Sequence, residues 1–339
     1  MTRKIFILSL LAAFASVLLS ACGGAVKPAS EQGNTGAIAE LDRAIDTSVQ
    51  QVENATALAV DGSGNIYLSD SSAKTPRILK FDNSGKFVKA WGEPGSQPGQ
   101  FTFVPPTAGQ GPNGGFVAVD AQGNVYVSDA YNFRVQKFDP DGKFVFQFGS
   151  AGEADGQFDG PCAGPVTVDG QGNIYVSTFG RVQKFDSQGK FLAAHGSLGS
   201  ENGQFMGAAF GSIDKQGNFY VADLLNIRVQ KFDPDWKFLQ TWGAAGTGPG
   251  QFINPVSLAV DQYDRLYAAD NSNRIQVFSL KGEFVGQVSD TGKGNLPLTQ
   301  TSTLVIDAKG KLYVADSGFL DATGAPRSTN RILIYNILH

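Results

Sequence analysis

The chain has 339 residues, with 27 Lys and Arg against 31 Asp and Glu and a net charge of −4. That balance advertises no basic face and argues against nucleic acid as a partner. With two Cys (Cys22, Cys162), no CxxCH sequence and two His (His195, His339), a disulfide framework, a c-type haem and a three-histidine zinc site are excluded.

The first predicted element is a targeting segment. Arg3 and Lys4 precede an apolar run from Ile5 to Leu19, followed by Leu19-Ser20-Ala21-Cys22. A basic start, an apolar stretch and small residues at its end describe a secretory signal. The closing tetrad resembles the lipobox of bacterial lipoproteins, which implies that Cys22 is diacylated and becomes the mature N-terminus. An ordinary signal peptide or a short membrane anchor is the alternative, but the run falls short of the ~20 apolar residues that a membrane span requires. Gly23 follows, with no Asp to suggest inner-membrane retention, so the expected place is the outer membrane, facing the periplasm or the exterior. The chain therefore divides into residues 1–21 as signal peptide, 22–40 as lipidated Cys and polar tether, and 41–339 as the folded domain.

From there one unit recurs six times. Each copy is anchored by an Asp that closes an apolar strand: Asp61, Asp120, Asp169, Asp214, Asp261 and Asp307, spaced 59, 49, 45, 47 and 46 residues apart. After each anchor come a turn such as "DAQGN", a strand such as "NVYVSD", a loop, a strand such as "RVQKFD", a second turn such as "DPDGK", and a strand such as "KFVFQFG". Period-2 alternation rich in aromatic and β-branched residues makes these strands. The Asp, Asn and Gly between them suit tight hairpins. Four antiparallel strands per unit, six times over, predict an all-β fold, a six-bladed β-propeller. The sixth copy stops after its third strand, "NRILIYNI" (Asn330 to Ile337). An open edge there is a liability, so the segment Arg43 to Val52 is expected to supply the outer strand of the last blade.

The stretch "GNVYVSDAYNFRVQKFDPDGKFVFQFG", continued by "DGQF", resembles the NHL repeat, and the likeness runs from Ala55 to the C-terminus. The resemblance implies a six-bladed ring. The histidine that gives the family its name is replaced by Phe133 and Ile227, so no one member's function carries over.

In such a ring the first and third connections of each blade lie on one face and the rest on the other. The long insertions are Ser71 to Pro76, Glu93 to Gly115, Ser289 to Gln300 and Ser317 to Asn330. All fall on the second face, which we call the loop face, and variable loops on a rigid scaffold are where binding usually resides. The same face is predicted to carry Tyr131, Phe133, Phe179, Leu224, Leu225 and Ile227. Asn54, Asn113, Cys162, Gly207, Asn254 and Gln300 stand seven residues before the anchors, so they are expected to ring the channel mouth as an amide-rich ligand surface or as turn formers.

An Asp before the middle loop recurs with an Arg after it: Asp70 with Arg77, Asp129 with Arg134, Asp223 with Arg228, Asp270 with Arg274, and Asp316 with Arg331. Their varied spacing points to structural charge-assisted bonds. The third copy has Thr178 before a two-residue loop, Phe179-Gly180, and Arg181 after it. Arg181 is expected to take a neighbouring Asp or a backbone carbonyl, or else to accept an anionic ligand. Trp236 stands where the other turns have Gly, and is read as an exposed contact or as drift.

No nucleophile elbow, phosphate loop or Cys/His pair is present. Asp139 to Lys143 offers too few ligands for Ca²⁺. The expected function is a membrane-anchored, extracytoplasmic binding or scaffold lipoprotein without catalysis, metal or cofactor. Its loop face would take a protein, peptide or glycan, with Arg181, Phe179, Tyr131, Asn54, Asn113, Cys162 and Asn254 as candidate contacts. The alternative is a metal-dependent lyase or lactonase of the propeller kind, resembling the peptide-amidating lyases.

Overall fold

A computed structural model describes residues 37–104, 114–158, 163–288, 298–317 and 330–338. The described elements are strands and two short 3-10 turns. β1 (Ala39–Asp46) comes first. Blade 1 is β2 (Ala55–Val60), β3 (Ile66–Asp70), β4 (Arg77–Phe81) and β5 (Phe87–Trp91). Blade 2 is β6 (Phe116–Val119), β7 (Val125–Asp129), β8 (Arg134–Phe138) and β9 (Phe144–Phe148). Blade 3 is β10 (Val166–Val168), β11 (Ile174–Ser177), β12 (Val182–Phe185) and β13 (Phe191–His195). Blade 4 is β14 (Ala208–Ile213), β15 (Phe219–Asp223), β16 (Arg228–Phe232) and β17 (Phe238–Trp242). Blade 5 is β18 (Pro255–Val260), β19 (Arg265–Asp270), β20 (Arg274–Ser279) and β21 (Phe284–Val288). Blade 6 is β22 (Thr301–Ile306), β23 (Lys311–Ser317) and β24 (Asn330–Ile337), with β1 as its outer strand.

Each sheet is antiparallel in sequence order, and the innermost strands touch their neighbours around the ring until β22 meets β2. The closing strand is the one expected, but displaced: it runs from Ala39 to Asp46, pairing Ala39 with Ile337 and Asp46 with Arg331. It stops at Asp46 because that side chain accepts the Ser48 N–H at 2.8 Å and turns the chain into a short 3-10 segment, Ser48–Gln50. Asn330 then ties the last blade to the first. Its amide donates to the Val52 carbonyl at 2.7 Å and its oxygen accepts the Ala55 N–H at 3.3 Å.

The anchor aspartates do one local job six times. Asp120 accepts the Gln122 and Asn124 N–H groups with one oxygen, and the Asn124 amide and the Tyr126 hydroxyl with the other. Burial pushes the Tyr126 hydroxyl up, and Asp120 adds to the shift. Asp139 caps its own turn by accepting the Asp141 and Lys143 N–H groups.

The core lies between blades. Linker phenylalanines Phe101, Phe158, Phe205 and Phe252 are fully buried. They meet Phe138, Phe185, Phe232 and Phe278 of the blade they lead into, with centroids 5.6–5.9 Å apart. Gly196 must precede such a ring, since a Cβ there would lie 2.4 Å from Phe205 and φ is +89°.

A second seam runs near the rim. In three blades the last residue of the outer strand packs on the following blade's third turn: Trp91 over Gly142, Phe148 over Gly189, Trp242 over Gly282. At the blade 3–4 seam the sizes exchange. His195 ends β13 and Trp236 takes the glycine position, the rings stacking at 4.4 Å and 4°. Trp236 keeps the positive φ of the glycines it replaces, +61°. It also lies against Tyr175, Phe219 and Phe232. Trp236 is therefore a half-buried seam residue, not an exposed one. Burial holds His195 down to about 4, and the positive charge of Lys184 adds to this.

Candidate loop-face site

The loop face is built where strands such as β7 end and β8 begin. Asp129 is fully buried there. One of its oxygens accepts the Thr102 N–H at 2.7 Å. The other accepts Arg134 Nε at 2.8 Å, Asn132 Nδ2 at 2.8 Å and Gln136 Nε2 at 3.0 Å. Arg134 passes through to the incoming linker and donates to the carbonyls of Ser96, Gln97 and Gln100 at 2.7–3.0 Å. Gln136 accepts the Gly99 N–H and donates to the Gln100 carbonyl, both at 2.8 Å. Burial pushes the Asp129 carboxyl up, while the Thr102 N–H, Asn132 and Arg134 pull it back.

The same set recurs at the other blades. Asp223 takes Met206 N–H and Arg228, and Asp270 takes Ile253 N–H and Arg274. Asp70 takes Glu53 and Asn54 N–H with Arg77 at 3.3 Å, and Asp316 takes Thr299 and Gln300 N–H with Arg331 at 2.7 Å. The five pairs thus hold the segment that enters each blade. Sequence reasoning found the Asp and Arg but missed Gln136 and Gln230, which bond both the carboxylate and the linker, and Gln183 and Gln276, which bond the linker. The recurring "RVQKF" carries that signal.

Blade 3 departs from the set. Thr178 is buried, and its N–H and hydroxyl both reach the Arg181 carbonyl, at 2.8 and 3.3 Å, closing the two-residue loop. Arg181 donates to the linker carbonyls of Ala154 and Gln157 at 3.1 and 3.3 Å. It keeps the linker-holding role of its sisters through backbone acceptors.

The residues expected at the channel mouth work through their backbones. The carbonyls of Asn54, Gly207, Asn254 and Gln300 accept the N–H of Ser71, Leu224, Asn271 and Ser317 at 2.9–3.2 Å. Asn113 and Cys162 lie outside the described residues, as do Cys22 and residues 105–113, 289–297 and 318–329 of the long insertions. Phe133 and Ile227 adopt φ of +54° and +57° and pack between blades. Tyr131, Phe179 and Leu224 are half-buried, and Leu225 is 38% exposed. Three exposed apolar side chains of the loop face were not foreseen, Val49 at 83%, Leu198 at 52% and Ile253 at 41%. They lie in linkers, whose alternation is too short to mark a face.

Among the described residues no group of three or more His, Cys, Asp or Glu converges. No helix among them is long and apolar enough to cross a membrane.

Against known families, residues 115–138 match the model of the NHL repeat. Blade 2 carries an NHL repeat. Together with the six-bladed ring, that match supports placing the chain with the NHL-repeat propellers. Among curated proteins, 95 residues of this chain are 37% identical to the Protein brain tumor of Drosophila melanogaster. That alignment spans 28% of this chain and 8% of that protein. Among solved structures, the WD40 repeats of RRP9 align over 88% of this chain and all of that one, with a TM-score of 0.60 and 11% identity. Virginiamycin B lyase from Staphylococcus aureus aligns over 87% of this chain and 99% of that one, with a TM-score of 0.54 and 12% identity. At such identities the likeness is one of fold alone, and the same fold serves unrelated functions.

Proposed function

We propose that this protein is a lipid-anchored, extracytoplasmic binding or scaffold protein that takes a protein ligand on its loop face. One observation carries the reading. The six turns opened by the anchor aspartates share one capped form, whereas the connections that vary in length all lie on the other face. Loops that vary on a rigid scaffold are where recognition is placed. The pairs of Asp and Arg there are absorbed in holding linkers, which leaves contact rather than catalysis to the side chains above them. The NHL match is consistent with the same reading. The anchor rests on Leu19-Ser20-Ala21-Cys22.

The test is site-specific photo-crosslinking in cells, with the crosslinker placed at Tyr131 or Asn271 on the loop face and at Lys143 or Lys237 on the turn face. Discrete protein adducts are expected from the first pair only, and in the membrane fraction. Adducts confined to Lys143 and Lys237 overturn the binding face. A Cys22→Ser variant that stays in the membrane fraction overturns the lipid anchor.

A further inference from the structure

The loop face is not uniform. Where blades 3 and 4 meet, two exposed leucines, Leu198 at 52% and Leu225 at 38%, adjoin the half-buried Phe179 and Leu224, and the four are linked through Gly180 and Gly207. The two-residue loop of blade 3 brings Phe179 against the start of blade 4, its carbonyl accepting the Gly207 N–H at 2.7 Å. Leu198 lies over Gly180, where an added Cβ would be 3.2 Å from the Leu198 Cβ. Gly207 in turn faces Leu224 and Leu225, at 3.4 and 3.9 Å from the same construction. A longer side chain at either glycine would break this layer. The shortened loop thus sets Phe179 directly beside the start of blade 4.

Among the described residues, exposed acids outnumber exposed lysines on the loop face. Glu53, Glu93, Glu153, Asp155 and Glu201 are exposed in the described connections of the loop face. Lys74 is the one lysine in those connections, whereas Lys86, Lys143, Lys190 and Lys237 recur in the turns of the opposite face. The loop-face arginines point inward to Asp and to linker carbonyls. An apolar floor with an acidic margin complements an apolar segment flanked by cations, and it repels polyanions and anionic headgroups.

We infer that Phe179, Leu198, Leu224 and Leu225 form the floor on which a partner protein docks an apolar segment bearing Lys or Arg. This rests on the loop-face reading above and narrows it to one place and one partner chemistry. The probe is a fluorescein-labelled amphipathic peptide of leucine and lysine, titrated against the mature chain by anisotropy. A leucine–glutamate peptide and vesicles containing anionic lipid are run beside it. Leu198→Ser combined with Leu225→Ser is expected to weaken the leucine–lysine peptide about tenfold or more, the scale of losing one or two buried anchors. Glu201→Lys should weaken it as well, and added salt should reduce binding. The control is Val145→Ser with Leu192→Ser, which removes equally exposed apolar groups from the outer strands of blades 2 and 3 and should leave affinity unchanged. Circular dichroism confirms that each variant is folded.

The proposal falls if the wild-type chain does not bind this peptide, if the control pair weakens binding as much as the Leu198/Leu225 pair, or if the glutamate peptide binds equally well. Vesicle binding that depends on Leu198 and Leu225 overturns it in favour of a membrane surface. Crosslinks from Tyr131 and Asn271 that persist when the floor fails these tests leave the loop-face reading standing and remove this one alone.

Discussion

At the scale of single residues, a buried carboxylate here serves the chain that arrives from the preceding blade. Asp129 gathers one backbone N–H, an arginine, an amide and a glutamine, and removing it takes an acceptor from all four. Asp129→Ala is expected to cost about 3 kcal/mol or more in a denaturant melt, as breaking one side of a buried ion pair does. Thr178→Ala, at the matching position of blade 3, should cost roughly 1 kcal/mol, because only a weak hydroxyl contact is lost. Equal costs would show that the linker-holding set is not what stabilises blade 2. The Asp and Arg of this set were legible from their covariation along the chain. Their acceptors were not, because Arg134 reaches back to Ser96 and Gln100, and nothing in the local pattern states which carbonyls a fold will bring to a guanidinium.

At the scale of elements, the seams between blades explain what the turns alone did not. Read locally, Trp236 breaks a glycine rule. Read with its neighbour, it completes a contact that elsewhere joins a large outer-strand residue to a glycine one blade away. Trp236→Gly alone leaves a void beside Tyr175 and Phe219, and His195→Trp alone sets two indoles in one space. The double variant restores the pattern of Trp91 with Gly142 and Trp242 with Gly282. We expect it to be more stable than the sum of the single changes by about 1–3 kcal/mol in a double-mutant cycle. Strict additivity would mean that the two rings do not share the seam. Strand periods and turn residues made all four strands of every blade readable. The seam was not, since its partners lie about one blade apart and no periodicity within a strand encodes the contact.

At the scale of the whole molecule, closure depends on a strand that the sixth repeat lacks and on one side chain beside it. The need for a donated strand was legible from the truncated last copy, but its start was not, because Ala39 and Leu41 precede the first obvious anchor by about 20 residues and β1 bears an irregularity between Leu41 and Arg43. Asn330 spans the junction of first and last blades. Asn330→Ala is expected to lower stability by about 1–3 kcal/mol, the cost of unsatisfied buried groups. Hydrogen exchange should rise first in β1 and β2. Faster exchange elsewhere, with those strands unchanged, would place the weak point away from the closure. The direction of β1 also orients the ring. Its pairing of Ala39 with Ile337 and Asp46 with Arg331 means that the chain enters at the lysine-bearing turn face and leaves toward the loop face. The strand that closes the ring therefore starts on the lysine-bearing side, opposite the face that carries Phe179, Leu198, Leu224 and Leu225.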